Sequence, residues 1–232
     1  MALIPLTAYN NSRAMASADA RTIIFGDVHG CLDELQDLLR AVRATSQDKL
    51  ISVGDLIGKG PDSRGVLDWA MGTPNLRCVL GNHERRFLSR KRGAELPDGK
   101  TLDAATWIQL SGRRARYRNF IASWPLWIRE NDYLVLHAGF DPGRPLVRQS
   151  DWDLITLRRL APSGEPWYAR YRGGRLAVFG HWSRREPVLR QNAVGLDTGC
   201  VYGGRLTALV LPERRLVSVP ARKIYRRKDS WL

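Results

Sequence analysis

Three short phrases in this chain end on polar residues of the kind that bind cations: Gly26-Asp27-Val28-His29-Gly30, Gly54-Asp55 and Gly81-Asn82-His83-Glu84. Asp27 and Asp55 are 28 residues apart, and Asp55 and Asn82 are 27 apart. Each interval is about one strand–helix–strand unit, so the spacing predicts that all three phrases reach one sheet edge, at the C-terminal ends of parallel strands, where open α/β sheets place ligands. Glycine before each polar residue lets the backbone turn sharply and approach an ion or a phosphate. The carboxylates and amide bring hard oxygens and the histidines bring imidazole, a mixture suited to Mn, Fe, Zn or Co rather than to an all-oxygen or all-thiolate site. Two cations bridged by one carboxylate, roughly 3.5–4 Å apart, would clamp the attacking and leaving oxygens of an in-line displacement at phosphorus. Asp55, on the middle strand, is the natural bridge. The chain has four histidines, His29, His83, His137 and His181, and each follows a strand or strand–turn phrase.

The elements that must position these residues are legible from periodicity. Residues 21–26 (RTIIFG) read as a buried strand ending on glycine. A helix follows, with Leu32, Leu35, Leu38, Leu39 and Val42 at helical spacing and Asp33 near its start. Residues 49–53 predict the next strand, 64–71 a helix, 76–80 a third strand, and about 83–91 a basic helix. This alternation gives parallel βαβ units. Residues 104–122 read as one helix with Trp107, Leu110, Tyr117 and Ile121 toward the core. Residues 124–130 and 133–137 predict a hairpin turning at Asn131-Asp132. Later come short strands at 176–179, 188–191, 206–211 and 215–219. The expected fold is α/β, a two-sheet β-sandwich flanked by helices. Residues 1–20 are expected to be a flexible leader and 21–232 a single catalytic domain.

Composition bounds the partners. The chain has 232 residues, 44% hydrophobic and 26% charged, which excludes a disordered or fibrous protein. Mean hydropathy is −0.33 and no apolar run approaches a membrane span, so no membrane association is expected and the expected location is cytoplasmic. Three separated cysteines without a CxxC pattern read as reduced thiols. The net charge of +14 is uneven: residues 1–83 carry −1 and residues 84–232 carry +15. Scattered arginine can serve solubility alone, or steer a polyanion such as a nucleotide, an RNA or a phosphoprotein. The densest patches, 113–118 and 226–228, are not interleaved with aromatics as a base-stacking platform would be.

The phrases GDVHG (26–30), GDLIGKGPDS (54–63), GNHE (81–84), LHAG (136–139) and GHW (180–182) together resemble the calcineurin-like metallophosphoesterases, in their phosphoprotein-phosphatase branch. The segment GLDTGCVYGGRLT (195–207) is similar to the symmetrical diadenosine tetraphosphatases of bacteria and to related phosphatases. The resemblance spans about residues 22–220. It implies the four-layer α-β-β-α metallophosphoesterase fold and two divalent transition-metal ions, manganese first, with Fe, Zn, Co or Ni as alternatives. Asp27, His29 and Asp55 would hold one ion and Asp55, Asn82, His137 and His181 the other, with a metal-bridging hydroxide as nucleophile. His83 would be the general acid. Lys59 matches the family's phosphate-binding arginine, keeping the charge but losing the bidentate fork.

One departure bears on substrate. Protein phosphatases of this branch carry Asp just before that arginine, paired with the catalytic histidine; here the position is Gly58. Asp197 and Cys200 read as turn and packing residues beside the site, Trp182 as a cleft wall or a base-stacking surface, and Tyr202 as a phosphate contact. Among Arg170, Arg172, Arg184 and Arg185, Arg184 is the candidate to touch phosphate. The expected function is a dinuclear phosphohydrolase of dinucleoside polyphosphates of the diadenosine tetraphosphate type, or of the same linkage on a capped RNA end. The competing readings are a Ser/Thr or Tyr protein phosphatase on the same metals and a non-catalytic module that grips anions or RNA. The implied partner is thus an anionic phosphate substrate; no stable protein partner can be read from the sequence.

Overall fold

The computed structural model describes residues 21–90 and 96–228; the leader expected at 1–20, the end of the basic helix at Lys91 and the last four residues lie outside them. The chain opens with β1 (Thr22–Phe25), α1 (Leu32–Ala41), β2 (Lys49–Ser52), α2 (Ser63–Met71), β3 (Leu76–Cys78) and α3 (Asn82–Arg90). Then come α4 (Ala104–Gln109), α5 (Arg114–Ala122), β4 (Trp127–Arg129), β5 (Tyr133–Leu136), α6 (Asp151–Thr156) and α7 (Trp167–Arg170). It closes with β6 (Leu176–Phe179), β7 (Val188–Arg190), β8 (Ala193–Gly195), β9 (Arg205–Leu211) and β10 (Arg215–Pro220).

These strands form two five-stranded sheets, ordered β10-β9-β1-β2-β3 and β4-β5-β6-β8-β7. In the first, β1 and β2 pair in parallel with Ile24 opposite Ile51, and β2 and β3 pair in parallel with Ser52 opposite Cys78. In the second, β5, β6 and β8 are mutually parallel. Side-chain alternation builds the layers. Ile23 and Phe25 face the helices over the first sheet, where Leu35, Leu38, Val66 and Leu67 meet them. Ile24, Ile51 and Val53 face the second sheet and pack on Val135, Val178 and Val194. On the outer side of that sheet, Leu134, Leu136 and Phe179 lie under Leu154 of α6 and Trp167 and Tyr168 of α7. The architecture is the expected helix–sheet–sheet–helix sandwich, and β1, β5 and β6 are short apolar runs because they are covered on both faces.

The structure differs from the periodicity in three places. The helix expected over 104–122 is two helices, broken where Gly112 adopts φ 75°; Asp103 caps α4 by accepting from Thr106 N at 2.9 Å. Leu110, Tyr117 and Ile121 are fully buried, as their spacing predicts, while Trp107 is only partly covered. β8, α6 and α7 have no counterpart in the sequence reading. The late strands also divide: β9 and β10 return to the first sheet, with β9 antiparallel to β1. Among the described residues no helix is long and apolar enough to cross a membrane.

Candidate active site

Five strand ends bring six candidate ligand residues to one edge of the sandwich. Asp27 and His29 follow β1, Asp55 follows β2, Asn82 follows β3, His137 follows β5 and His181 follows β6. The convergence strains the backbone. His29 (φ 49°), Asp55 (φ 52°), Lys59 (φ 66°) and His181 (φ 65°) all sit in the left-handed region, which costs on the order of 1–3 kcal/mol per non-glycine residue and persists only where surrounding structure holds it. Glu84 supplies part of that hold. Its carboxylate accepts from the N–H groups of Asp55 (2.9 Å), Ile57 (3.2 Å) and Gly81 (3.1 Å), tying the second and third phrases together. Burial, with Asp55 nearby, raises its pKa to about 8, and the backbone donors pull the other way.

The six side chains turn lone pairs toward one another. His29 donates from Nδ1 to Ile57 O at 3.1 Å, so its Nε2 carries the lone pair. That Nε2 lies 3.6 Å from Asp55 Oδ2 and 4.0 Å from Asp27 Oδ2. His137 donates from Nδ1 to Val53 O at 2.8 Å, and its Nε2 lies 3.5 Å from Asp55 Oδ1. Asp55 therefore offers one oxygen to each half of the cluster. Asn82 Oδ1 stands 3.0 Å from His137 Nε2 and 3.1 Å from His181 Nδ1. Asp27 is held from behind by the His181 N–H, 3.1 Å from both its oxygens.

This donor set fits divalent cations. Rotating the Asn82 amide would turn its NH₂ toward Asp55 Oδ2, His137 Nε2 and His181 Nδ1, and its oxygen toward Arg86. With the oxygen inward, an amide oxygen, a carboxylate, the His137 Nε2 lone pair and His181 Nδ1 share one space, an arrangement that a cation satisfies. The electrostatics agree. Burial, then Asp197 and Asp55, lifts the Asp27 pKa well above the ordinary carboxylate range. Burial would also raise Asp55, but His137, His83, His29 and Lys59 around it hold it low. Burial and Lys59 push His29 down to about 3, leaving a neutral imidazole, the form that can ligate a cation. His29 and Asp55 on one side, and Asp55, His137 and His181 on the other, bring ligand atoms within 4.8 Å of one another.

His83 is buried beside the cluster, its ring edge-on to His29 with centroids 4.8 Å apart. Arg86 Nη1 approaches its Nε2 at 3.1 Å; a guanidinium can only donate, so Nε2 accepts and the neutral ring carries its proton on Nδ1. That Nδ1 has no partner and faces Gly58. Arg86 is in turn held by Asp98 at 2.7 Å. Lys59 sets Nζ 2.8 Å from His29 Nε2 and 5.3 Å from the centre of the Tyr202 ring.

Above the cluster lies a cleft of about 820 Å³ whose lining includes Asp55, Lys59, Asn82, His83, His181, Trp182, Asp197 and Tyr202. Arg184 is not among its lining residues: it lies over Trp182, 4.1 Å from that ring, and Trp182 is itself buried as part of the wall. Arg170 and Arg172 border a separate, shallower depression with Glu165. Asp197 follows β8, lines the cleft and accepts from Gly199 N at 3.0 Å. Cys200 is buried against Cys31, and all three cysteines are free. Arg86, Lys100 and Arg158 also line the cleft and were passed over by the sequence reading, while Arg226, Arg227 and Lys228, read there only as a dense basic patch, line it too. Arg158 Nη2 stands 3.5 Å from His181 O; burial lowers its pKa while Asp197, Tyr202, Asp27 and Asp55 support its charge. No sequence signal placed Arg158 there, because α6, which delivers it, carries only one turn and a half of weak periodicity.

Comparison with known proteins follows the same lines. Residues 20–217 match the family described as Calcineurin-like phosphoesterase. The chain is 28% identical to a symmetrical bis(5'-nucleosyl)-tetraphosphatase of Vibrio parahaemolyticus, over 86% of this chain and 98% of the relative. It is 32% identical to an asymmetrical bis(5'-nucleosyl)-tetraphosphatase, PrpE, of Anoxybacillus flavithermus, over 87% and 95%. Among solved structures, that of a candidate diadenosine tetraphosphatase superposes with a TM-score of 0.74 at 35% identity, over 89% of this chain and 96% of the other.

Proposed function

The chain belongs to the calcineurin-like phosphoesterases, and on that premise we propose that it hydrolyses a phosphoanhydride bond in dinucleoside polyphosphates of the diadenosine tetraphosphate type. The observation that carries the reading is Asp55, with one oxygen toward His29 and the other toward His137, beneath a cleft lined by lysines and arginines. Relatives whose names state that activity, at 28–32% identity over most of both chains, support it.

Asp27, His29 and Asp55 would hold one divalent transition ion, and Asp55, Asn82, His137 and His181 a second. When bound, these ions supply Lewis acidity toward the phosphate and acidify a water enough for attack at neutral pH. The protein's own residues do the rest. Lys59 and Arg158 neutralise non-bridging phosphate oxygens, Lys59 as a point charge and Arg158 with a planar fork. His83 protonates the leaving oxygen from Nε2: the oxygen displaces Arg86 there, and the ring carries its proton on Nε2 instead of Nδ1 once the guanidinium no longer donates to it. The buried walls keep water from the reacting groups and strengthen each of these interactions.

Gly58 favours a nucleotide over a phosphoprotein substrate. It leaves His83 without the carboxylate partner expected of the protein phosphatases, and the neighbouring group is the Arg86 guanidinium instead. The test is turnover of diadenosine tetraphosphate and of a phosphoserine peptide by manganese-loaded protein, with products separated by chromatography. ADP alone marks symmetrical cleavage and ATP with AMP marks asymmetrical cleavage. A kcat/KM for the peptide higher by about tenfold, equivalent to 1.4 kcal/mol in transition-state binding, overturns the nucleotide reading.

A further inference from the structure

After β10 the chain runs back toward the cleft, and its course is fixed. Ala221 N donates to Gly204 O at 2.9 Å, and the Tyr225 and Arg226 N–H groups donate to Val201 O at 3.1 and 2.9 Å. Glu34, buried on α1, accepts through Oε1 from the Arg222 N–H at 2.9 Å and from the Tyr225 hydroxyl at 2.8 Å. The Arg222 side chain pairs with Asp33 at 2.7 Å and Asp37 at 3.0 Å. Held this way, the next three residues, Arg226, Arg227 and Lys228, reach the mouth of the cleft and line it.

Lys228 is placed with care. Its Nζ donates to Ser183 O at 2.8 Å and Ser183 Oγ at 2.6 Å, two residues beyond His181. The same Nζ lies 5.3 Å from the centre of the Tyr202 ring, the distance at which Lys59 Nζ stands from it. One aromatic ring thus separates a cation at the metal cluster from a cation on the C-terminal segment. Lys228 faces Lys59, Arg158 and Arg184 as well as the Asp197 carboxylate, and Arg226 faces Asp103; cations outnumber carboxylates along the cleft, so an anion lying between them is favoured. A single phosphate at the cluster would not reach all of them; an extended chain of phosphates would.

We propose that Arg226, Arg227 and Lys228 form a distal-phosphate subsite, through which this protein selects substrates by the number of phosphates beyond the one attacked. The proposal rests on the polyphosphate reading above, and it assigns the residues that would enforce it. Tyr202 is the divider between the two subsites.

The test compares manganese-loaded wild type with the variant R226Q/R227Q/K228Q and with the single variant Lys228→Gln, which leaves both arginines in place. Two readouts are needed: kcat/KM on p-nitrophenyl phosphate, ATP and diadenosine tetraphosphate, and calorimetric binding of orthophosphate and of a methylene-bridged diadenosine tetraphosphate analogue that resists cleavage. The triple variant should lose at least about tenfold in kcat/KM on diadenosine tetraphosphate and in affinity for the analogue, with the single variant in between. Turnover of p-nitrophenyl phosphate and affinity for orthophosphate should stay within about twofold, since neither ligand reaches past Tyr202. Equal losses on every substrate would mean the segment only supports the His181 loop, and no loss on the analogue would remove the subsite; either result overturns the proposal. If wild type cleaves no nucleotide while the analogue still binds and the triple variant still weakens it, the proposed reaction falls and the subsite stands.

Discussion

Gly58 faces the imidazole of His83 so closely that a Cβ built at position 58 would run into Nδ1. Its φ of 96° independently disfavours any L side chain. Position 58 therefore sets where the ring can lie. Gly58→Ala should push His83 off its seat without touching a cluster ligand. Turnover of substrates with poor leaving groups should fall by about 10²-fold or more, the usual range for a displaced acid–base group. Bound manganese should be unchanged by elemental analysis. Unaltered turnover would show that the ring's position does not matter to catalysis.

His83→Asn asks the complementary question. A group that only protonates a leaving oxygen matters in proportion to how badly that oxygen needs the proton. The variant should hydrolyse p-nitrophenyl phosphate nearly as fast as wild type and phenyl phosphate far more slowly, by about 10²–10⁴-fold. The slope of log kcat against leaving-group pKa is the measurement. Parallel slopes for the two proteins would exclude the acid role.

Asp55 lies within 3.6 Å of imidazole nitrogens from both halves of the cluster, His29 Nε2 and His137 Nε2. Asp55→Asn removes its charge and turns a donor group toward one of those lone pairs. Both ions should bind more weakly, by more than the roughly 10–100-fold seen when a group behind a ligand is lost. Titrating manganese into metal-free protein and following the metal's paramagnetic signal gives the two affinities. Loss of one affinity alone would mean that Asp55 serves a single ion.

The first half of the fold and the meeting of the first three polar phrases were legible because their physics is local. A buried apolar run ending on Gly-Asp or Gly-Asn-His marks a strand and its catalytic loop within a few residues. Asp27, His29, Asp55 and Asn82 consequently meet as their spacing predicts, and His137 and His181 join them as the family resemblance implies. What could not be read depends on distant partners. β8 has three residues and is a strand only because β6 and β7 flank it. The order of β9 and β10 in the first sheet is set by packing with β1, nearly the whole chain away. Arg158, Arg86 and Lys228 look like any surface cation until tertiary structure turns them inward. Arg184, beside a ligand in sequence, lies against Trp182 instead, because adjacency along the chain does not fix which way a side chain points after a turn.

Asp48 links pH to stability away from the cleft. Its carboxylate accepts from Arg21 Nε at 2.8 Å and Nη2 at 2.7 Å and from Thr45 N at 2.7 Å. These bonds, the Arg21 contact first, hold its pKa below the ordinary value. A depressed carboxylate pKa means that the stabilisation is present above the unfolded value near ~3.9 and disappears as pH falls through the folded one. Asp48→Asn should cost about 1–2 kcal/mol at pH 7, the worth of a charge-assisted hydrogen bond at a half-exposed partner. Urea unfolding of both proteins should show that gap constant down to about pH 5 and closing below about pH 4. A gap that persists at pH 3 would mean that shape, not charge, holds the loop.

Arg158 carries the last prediction. Lys59 supplies charge beside the cluster but no fork, so a guanidinium that grips two phosphate oxygens at once must come from elsewhere. Arg158, 3.5 Å from His181 O and lining the cleft, is the arginine so placed. Arg158→Lys keeps the charge and removes the second contact. If the fork is what matters, this substitution should weaken substrate binding by about tenfold or more, close to the loss in Arg158→Gln. If charge alone matters, Arg158→Lys should retain most of the wild-type affinity and Arg158→Gln should not. Orthophosphate inhibition constants for the three proteins separate the two cases, because orthophosphate contacts the cluster without needing any group further along the cleft.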